Sequence, residues 1–411
     1  MRVLVAHKFF RVMGGAEVFF FETARLLEEA GHEVAFFSTK HPDNRESEFS
    51  EYFVSSHDHI GGSYYGKVRA LMSAMYSLSA KRSMSRLIDD FQPDVAHMFG
   101  IGSYLSTSVI DACIEAQVPV VMSCNDYKHI CPNYKMYHHG HPCEECKGGK
   151  YYNAVLNRCC HDSLVFSAAQ TAEAYADGFT GRVRDRIDLF LFASSFMAEK
   201  TSEFWGEKSF EWRLLRNPFS PSAAHEFGSG DYVLYFGRLS EEKGVEQLLE
   251  AAAILPEVPV RIVGDGPLGP LLRAHAEHAA LRNVEFLGPL WGSELDRVLL
   301  RARVVVVPSV WYENFPYVIL QAFAAGKPVV GSSRGGIPEM LGGGQRGFEY
   351  PADDYELLAA AIQRAWEDRV LSESMGRAAR AYVVDEYDKA DFVRKLVEAY
   401  AEAIELRACG V

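Results

Sequence analysis

The sequence lacks three features: a long apolar run, a signal-peptide cleavage site and an excess of positive charge. A membrane-spanning helix needs about 18 apolar residues in a row. The amino terminus, MRVLVAHKFF, leads straight into a strand pattern without the small residues of a cleavage site. We therefore expect a cytoplasmic protein. The net charge of −13 argues against a nucleic-acid surface, although it is compatible with a local basic groove for a diphosphate.

Cysteine is also scarce, with 8 in 411 residues, which excludes the disulfide scaffold of a small secreted domain. The chain has no short repeat and no low-complexity tract. Its hydrophobic content of 48% and charged content of 24% are typical of a globular protein. Because the length exceeds that of one ordinary core, we expect two or three domains.

Strand and helix patterns alternate along the chain, which predicts parallel sheets covered by helices. One series begins at Arg2–His7, and a second follows a stretch rich in Pro, Gly and Ser at 214–231. We predict an α/β protein with two doubly wound Rossmann-like domains facing a cleft. The expected boundaries are 1–216, with a cysteine-rich insertion at about 127–161, then 217–385, then a helix at 386–411 that crosses back to the first domain.

Two glycine-rich loops follow predicted strands, at the sheet edge where open α/β sheets bind ligands. Gly14 and Gly15 precede a helix whose amides can approach a phosphate or a sugar, although a plain helix-opening turn has the same pattern. The G-x-G-x-x-G fingerprint of dinucleotide-binding folds is missing. Gly264 and Gly266, in VGDGP, suit close contact with a base or ribose, and equally suit any sharp turn.

Two further loops carry charge. Arg238 and Lys243, in FGRLSEEKG, can hold phosphate oxygens, although mixed charge is common in solvated turns. Glu313, in the segment 303–330, lies between a strand and a helix predicted to begin at about Phe315, where free amides favour an anion. An ordinary β-loop-α unit with an incidental acid is the alternative. Because a carboxylate accepts hydrogen bonds from hydroxyl groups, the two loops together indicate a sugar attached to a nucleoside diphosphate.

In order and spacing, these four loops resemble the glycine loop and donor-site blocks of retaining glycosyltransferases of family four, which have the two-domain GT-B fold. The matching motifs are GGAE, FGRLSEEKG, VGDGP and PSVWYENFPYVILQAFAAGKPVV, and the resemblance covers essentially the whole chain. It implies an acceptor-side domain at 1–216 and a nucleotide-sugar-binding domain at 217–385. It also implies that no catalytic divalent metal is needed, since the cationic pair and the helix dipole neutralise the leaving group.

The resemblance assigns roles to individual residues. Arg238 and Lys243 match the pair that stabilises the departing diphosphate, and Glu313 matches the acid that holds the hydroxyls of the transferred sugar. The positions expected to contact the nucleotide sugar, in part through the backbone, are Gly14, Gly15, Gly264, Gly266, Asn314, Phe315, Pro316 and Gln321.

Two positions depart from the family pattern. Where the family has a second glutamate that binds the ribose hydroxyls, this chain has Gln321, whose amide oxygen still accepts a hydrogen bond. Where the family has His-Asp, this chain has Asn125-Asp126. Asn125 can orient a hydroxyl but cannot act as a base, whereas Asp126 is a candidate catalytic base on the acceptor side or a sugar ligand. A turn-forming Asn-Asp pair is the alternative.

We predict a retaining hexosyltransferase that uses a nucleotide sugar in polysaccharide or glycoconjugate assembly. The expected mechanism is same-face attack, with the leaving phosphate assisting deprotonation of the acceptor. The acceptor is a glycan, a lipid-linked molecule or a small molecule. Two other functions stay open: a nucleotide-sugar-binding protein without transfer activity, signalled by Gln321 and Asn125, and another GT-B enzyme such as an epimerase.

Six of the cysteines fall between Cys124 and Cys160. The spacing C-x(11)-C-x(2)-C-x(12)-C predicts structural zinc, because the central pair can chelate an ion and the outer cysteines can close a tetrahedron. An iron–sulfur cluster, a redox dithiol and free thiols are the alternatives to zinc. The expected ligands are Cys131, Cys143, Cys146 and Cys159, with Cys160, His138, His139, His141 and His161 as alternative ligands.

The segment 64–91 is basic and partly amphipathic within an acidic protein. Such a helix can rest on anionic lipid and serve a lipid-linked acceptor, which would associate the protein with the inner face of the membrane. A packed surface helix with solvated charges is the alternative.

Overall fold

The computed structural model describes residues 1–55, 76–206, 210–220 and 230–410. The chain forms two compact units. The first comprises residues 1–136, 143–218 and 389–411, and the second comprises residues 137–142 and 219–388. Residues 221–229 of the predicted linker and residues 64–75 of the predicted basic helix lie outside the described part of the chain.

The first 218 residues contain ten strands and seven helices among those that the structure describes. In chain order they are β1 (Arg2–His7), α1 (Gly15–Glu29), β2 (Glu33–Phe37), β3 (Thr39–Lys40), β4 (Val54–Ser55), α2 (Leu78–Phe91), β5 (Val95–Phe99), α3 (Gly102–Leu105), α4 (Ser108–Glu115), β6 (Val120–Cys124), β7 (Tyr137–His138), β8 (His141–Pro142), α5 (Tyr152–Leu156), α6 (Leu164–Thr180), β9 (Leu189–Phe192), α7 (Ser195–Trp205) and β10 (Trp212–Leu214).

A parallel sheet with the order β10-β9-β6-β5-β1-β2 forms the centre of the first unit. Its inner strands β5 and β6 are buried along their whole length, as expected for strands covered by helices on both faces. Gly31 follows α1 with φ 84° and ends that helix, as its sequence position predicts. The carboxyl ends of β1, β5 and β6 lie side by side at one edge of this sheet.

The rest of the chain continues the alternation of strands and helices. In chain order the elements are β11 (Tyr232–Phe236), α8 (Val245–Ile254), β12 (Val260–Val263), α9 (Gly269–His278), β13 (Val284–Gly288), α10 (Gly292–Leu300), β14 (Ala302–Val307), α11 (Tyr317–Ala324), β15 (Val329–Ser332), α12 (Ile337–Leu341), β16 (Gly347–Tyr350), α13 (Tyr355–Glu367), α14 (Arg369–Glu386) and α15 (Lys389–Cys409). Short 3₁₀ turns occupy Glu48–Tyr52, Lys147–Gly149 and Glu241–Lys243.

The second unit is built on a parallel sheet with the order β13-β12-β11-β14-β15-β16. The sequence predicts strands at 232–236, 259–263, 284–287, 304–307 and 328–330, where β11 to β15 lie. Strand β16 is an additional edge strand that the apolar runs do not reveal. Because β11 lies between β12 and β14, the loops that follow these three strands emerge together at the carboxyl edge.

The final helix α15 belongs to the first unit. Tyr400 places its hydroxyl 2.7 Å from Nδ1 of the buried His97 on β5. Arg407 donates a hydrogen bond of 2.7 Å to Asp188, immediately before β9. The last helix is therefore part of the packing of the first sheet.

Candidate functional site

In the second unit, the two charged loops predicted from the sequence form one connected structure. The amide of Val310 donates a hydrogen bond of 3.0 Å to the carbonyl of Glu242. Gly244 has φ 66°, and a Cβ there would lie 1.9 Å from the carbonyl oxygen of Pro308. Only glycine permits this approach, so Gly244 joins the loop after β11 to the loop after β14.

Glu313 is the central carboxylate of this pair of loops. It is 5% exposed, and its Oε1 accepts hydrogen bonds from Lys243 Nζ at 2.6 Å and from Ser309 Oγ at 2.7 Å. Burial by itself would raise the pKa of Glu313, but the Lys243 ammonium and these hydrogen bonds outweigh it and hold the pKa below its ordinary value. Glu313 is therefore ionised at neutral pH and accepts hydrogen bonds only.

A third loop holds the backbone of Glu313. The amide of Gly336 donates to the carbonyl of Glu313 at 2.7 Å. A Cβ on Gly335, which has φ 63°, would lie 2.0 Å from the same oxygen. No motif singled out from the sequence points to this support, although a Gly-Gly pair shortly after the β15 run is a signal that could have revealed it.

Around the carboxylate lie polar groups that the protein itself does not satisfy. Arg238 is exposed, and it forms no ion pair with the residues that the structure describes. Ser240 Oγ is buried and has no hydrogen-bond partner in the described ranges, whereas the Trp311 indole lies close enough to Glu313 to help lower the pKa of that carboxyl group. Lys243 Nζ lies 5.1 Å from the centre of the Trp311 ring. A ligand rich in oxygen atoms would satisfy these donors, which are costly to leave unpaired. Sequence reasoning missed Ser240 and Trp311.

Gly264 and Gly266 have a structural reason to be glycine. A Cβ on Gly264 would lie 1.9 Å from the carbonyl oxygen of Gly237, and one on Gly266 would lie 2.4 Å from that of Leu239. The amide of Leu239 also donates to Asp265 at 2.9 Å. These glycines allow the loop after β12 to pack on the loop that carries Arg238, and their contact with a ligand stays a prediction.

Helix α11 begins at Tyr317, with Pro316 as its cap, about two residues later than predicted. Phe315 is buried, and its ring lies 6.3 Å from that of Tyr387. With the side chain committed to packing, only the backbone at this position is left for a ligand. Asn314 and Gln321 are half-buried, one on each side of the helix start.

In the first unit, Asn125 and Asp126 follow β6. Asp126 Oδ1 accepts a hydrogen bond of 3.0 Å from the amide of Lys128, the pattern of an Asx turn. The turn that was the alternative to a functional role is therefore present, and the oxygen that it uses is Oδ1. Gly14 caps α1 and Gly15 is its first residue. A cavity of about 160 Å³ lies at the carboxyl edge of this sheet, and Asn125 and Asp126 line it.

The cysteine-rich segment gathers its thiols without forming a metal site. Burial raises the pKa of Cys146 to about 12, and the neighbouring Cys131, Cys143 and Cys159 add to the increase. Cys131 donates to Asn133 Oδ1 at 3.1 Å. No group of three or more His, Cys, Asp or Glu side chains within the described residues is arranged to hold a metal ion. The prediction of structural zinc is therefore not supported, since a tetrahedral site needs four converging ligands.

The described part of the predicted basic segment, α2, packs against α4. Its apolar face is buried at Met84, Leu87 and Ile88, and Lys81 forms an ion pair with Glu115. These contacts agree with the packed surface helix of the alternative interpretation. Across the described ranges, no helix is long and apolar enough to cross a membrane.

Comparisons with known proteins cover both units. Residues 13–218 match the family described as Glycosyltransferase Family 4, and residues 221–405 match the family described as Glycosyl transferases group 1. A glycogen synthase of Mycobacterium tuberculosis is 33% identical over 226 residues, which cover 53% of this chain and 54% of that protein. Sulfoquinovosyl transferase SQD2 of Arabidopsis thaliana is 27% identical over 389 residues, which cover 92% of this chain and 69% of that protein. The chain thus spans about half the length of the first relative.

Solved structures share the fold. Sucrose-phosphate synthase from Thermosynechococcus elongatus superimposes with a TM-score of 0.69 at 17% identity, covering 98% of both chains. HepE from Anabaena, solved in complex with UDP-glucose, gives a TM-score of 0.64 at 17% identity, covering 98% of this chain and 99% of that one. The family match over half of the chain shows that the chain belongs to glycosyltransferase family 4. The likenesses to solved structures show the GT-B fold with two Rossmann-like domains.

Proposed function

We propose that this chain transfers a sugar from a nucleoside-diphosphate sugar to a hydroxyl group of an acceptor, with retention of configuration. The observation that carries the proposal is the buried Glu313 carboxylate, which Lys243 holds ionised at 2.6 Å. The exposed Arg238, on the loop that also carries Lys243, forms no ion pair within the described ranges. A carboxylate fixed among free donors suits a ligand that combines hydroxyl groups with phosphates.

Each group has one role in this proposal. Arg238 and Lys243 stabilise the negative charge that grows on the leaving diphosphate, and Glu313 accepts hydrogen bonds from the hydroxyls of the transferred sugar. The backbone of 314–316 and the first amides of α11 approach the sugar and phosphate, while Gln321 binds the ribose. The segment 217–385 acts as the donor domain and 1–216 as the acceptor domain.

Retention follows from same-face attack. The acceptor oxygen forms a bond to the anomeric carbon as the bond from that carbon to the phosphate oxygen breaks. The proton of the acceptor hydroxyl passes to the leaving phosphate, or to Asp126 acting as a base. A glycosyl-enzyme adduct trapped with donor and detected by mass spectrometry would contradict this route, and a product of the opposite anomeric configuration would contradict retention.

A thermal-shift screen with UDP-, GDP-, ADP- and TDP-sugars identifies the donor, and UDP-glucose is the first choice because HepE was solved with it. The selected donor is then assayed for transfer and for slow hydrolysis. Glu313→Gln should lose turnover by about a hundredfold or more, and the matched change at the exposed Glu294, Glu294→Gln, should have no effect. Donor binding without turnover in the unmodified protein would favour the non-catalytic alternative. Conversion of the donor to its epimer would favour an epimerase.

The acceptor is a glycan, a lipid-linked molecule or a small molecule, in polysaccharide or glycoconjugate assembly. Contact of the segment 64–91 with a membrane surface is part of this proposal, and residues 64–75 of that segment lie outside the described ranges. Co-sedimentation with vesicles of anionic lipid tests it, and equal recovery in the supernatant with and without vesicles would refute it.

A further inference from the structure

The short hairpin formed by β7 and β8 belongs to the second unit, although the residues on either side of it in the chain belong to the first. Residues 137–142 cluster with 219–388, and the two strands pair antiparallel, with Tyr137 opposite Pro142. A two-stranded hairpin is at best marginally stable on its own. Its packing against the second unit therefore keeps it folded, and this packing involves the loop that follows β11.

Tyr137 is the buried side chain of this hairpin. It is 6% exposed, and its hydroxyl donates a hydrogen bond to the carboxylate of Glu241. Burial and the carboxylates of Glu241 and Glu242 raise the pKa of Tyr137, so the hydroxyl keeps its proton and acts as a donor at neutral pH. At the turn of the hairpin, a Cβ on Gly140 would lie 3.6 Å from Glu241 Oε1. The hairpin thus meets the Glu241 carboxylate at two points.

Glu241 lies in the same loop as the two cations of the candidate site. It is the third residue after Arg238 and the first of the 3₁₀ turn Glu241–Lys243. The amide of Gly244 donates to the carbonyl of Glu241 at 3.1 Å, which fixes the backbone of this turn. The chain therefore carries a carboxylate between the guanidinium of Arg238 and the ammonium of Lys243.

A carboxylate in this loop competes with a phosphate for the same cations. If its side chain were unrestrained, Glu241 would be able to pair with the exposed Arg238, and its charge would repel a diphosphate at short range. Within the described ranges, however, Arg238 forms no ion pair, and the ammonium of Lys243 pairs with Glu313. The hydrogen bond from Tyr137 instead engages the Glu241 carboxylate.

We propose that Tyr137 is a positioning residue of the donor site, which holds the Glu241 carboxylate away from Arg238 and so keeps that guanidinium free for a diphosphate. The residue acts through Glu241, and the hairpin 137–142 supplies the frame that carries it. The inference rests on the proposed function, which assigns Arg238 to the leaving diphosphate, and it gives a part of the cysteine-rich segment a role in binding the nucleotide.

Isothermal titration calorimetry on the full chain tests the proposal with UDP, GDP, ADP and TDP and with the four matching nucleosides. Tyr137→Phe keeps the buried ring and removes only the hydroxyl. It should weaken the binding of the tightest diphosphate by about threefold to tenfold, because the released carboxylate then competes for Arg238. The affinity for the matching nucleoside, which has no phosphate, should stay within about twofold. The control is Tyr355→Phe, at an exposed tyrosine of the same unit, which should change neither affinity.

The variant Glu241→Gln separates positioning from packing, because it removes the competing charge. In that background, Tyr137→Phe should no longer weaken diphosphate binding. A loss that persists in the double variant, or an equal loss for the nucleoside, would show that Tyr137 only supports the fold of the loop and would overturn the proposal. An unchanged diphosphate affinity in Tyr137→Phe would overturn it as well and leave the proposed function intact. If none of the four diphosphates binds the unmodified chain, the proposed function fails, and this inference fails with it.

Discussion

The carboxyl groups of Glu313 and Asp177 have opposite surroundings, although Glu313 is buried and Asp177, in the wall of the first-unit cavity, is half-buried. Glu313 has an ammonium group at 2.6 Å and a hydroxyl at 2.7 Å, and its pKa is lowered. Asp177 has one hydroxyl at 3.1 Å, and its pKa is raised to about 6. The Glu313 carboxylate is fixed by a cation before a ligand arrives, whereas the Asp177 carboxyl group has only a hydroxyl donor among the described residues. Changes at the two carboxyl groups should therefore have opposite effects on stability.

The largest expected effect is at the organised site. Replacing Lys243 by Met removes the cation that stabilises the leaving group, so transfer should fall by about 10²–10³-fold. It also leaves Glu313 as an unpaired buried charge, which should lower the free energy of unfolding by about 1–3 kcal/mol. Urea denaturation and donor turnover measure the two effects.

The double variant Lys243→Met/Glu313→Gln separates these effects. Since the glutamine is neutral, stability should return towards that of the unmodified chain while transfer stays lost. Recovery of transfer in the double variant, or unchanged stability in the single one, would show that the ion pair is not the organising contact of this site.

A second prediction concerns Arg238, which has no ion pair in the described residues and is exposed. Arg238→Ala should lower transfer by about a hundredfold and leave the free energy of unfolding within about 0.5 kcal/mol. Arg282→Ala, at another exposed arginine of the same unit, is the control and should change neither quantity. Normal transfer by Arg238→Ala would remove this residue from the phosphate site.

The opposite effect is expected at Asp177. Its folded pKa of about 6 lies above the ordinary 3.8, so the folded state binds the proton more tightly and this group lowers stability as pH rises from about 4 to 6. The surrounding charges are Glu173, which raises the pKa, and Lys128 and Arg182, which lower it. Asp177→Asn should therefore stabilise the protein by about 1–3 kcal/mol at about pH 8.

This gain should shrink to near zero at about pH 4, where the aspartate is already protonated. Denaturation curves at both pH values check it, with Asp162→Asn as the control. A variant that is destabilised at about pH 8 would show that Asp177 supports the fold, and the contrast with Glu313 would then be wrong.

The smallest effect concerns the thiols. Burial raises the pKa of Cys131 to about 11 and that of Cys159 to about 12, whereas Cys409 is exposed. Because the thiolate is the reactive form, iodoacetamide at about pH 8 should modify Cys409 at least tenfold faster than the clustered cysteines. Peptide mass spectrometry measures the rates, with a sample in urea as the control in which all rates should converge. Equal rates in the folded protein would contradict this protonation pattern.

Much of the second unit could be predicted from its sequence because its strands are uninterrupted apolar runs. The run before Pro308 forms β14, and the segment between Pro316 and Gly326 forms α11, as the helix start and stop signals predict. Strand β16 was missed because it is four residues long at the sheet edge, with Glu349 exposed. The segment becomes a strand because it pairs with β15, and the sequence has no apolar periodicity there that would predict this pairing.

The residues of the candidate site could also be predicted only in part from the sequence. Arg238, Lys243 and Glu313 stand out as charged residues directly after apolar runs, and parallel strands bring such loops to one edge. Ser240, Trp311 and Gly335 do not stand out, because their importance comes from a contact or a missing partner. The cysteine spacing predicted a metal site, yet no group of three or more His, Cys, Asp or Glu side chains among the described residues is arranged to hold an ion.

The sequence by itself therefore determined the family, the two parallel sheets and the identity of the charged loops, since periodicity and local turn chemistry are properties of neighbouring residues. Only the tertiary structure decided that Lys243 bonds to Glu313, that the clustered thiols do not converge as metal ligands, and that Asp177 on α6 shares a cavity with Asn125. These outcomes depend on groups separated by tens of residues in the chain, whose burial and distance follow from the packing of whole elements.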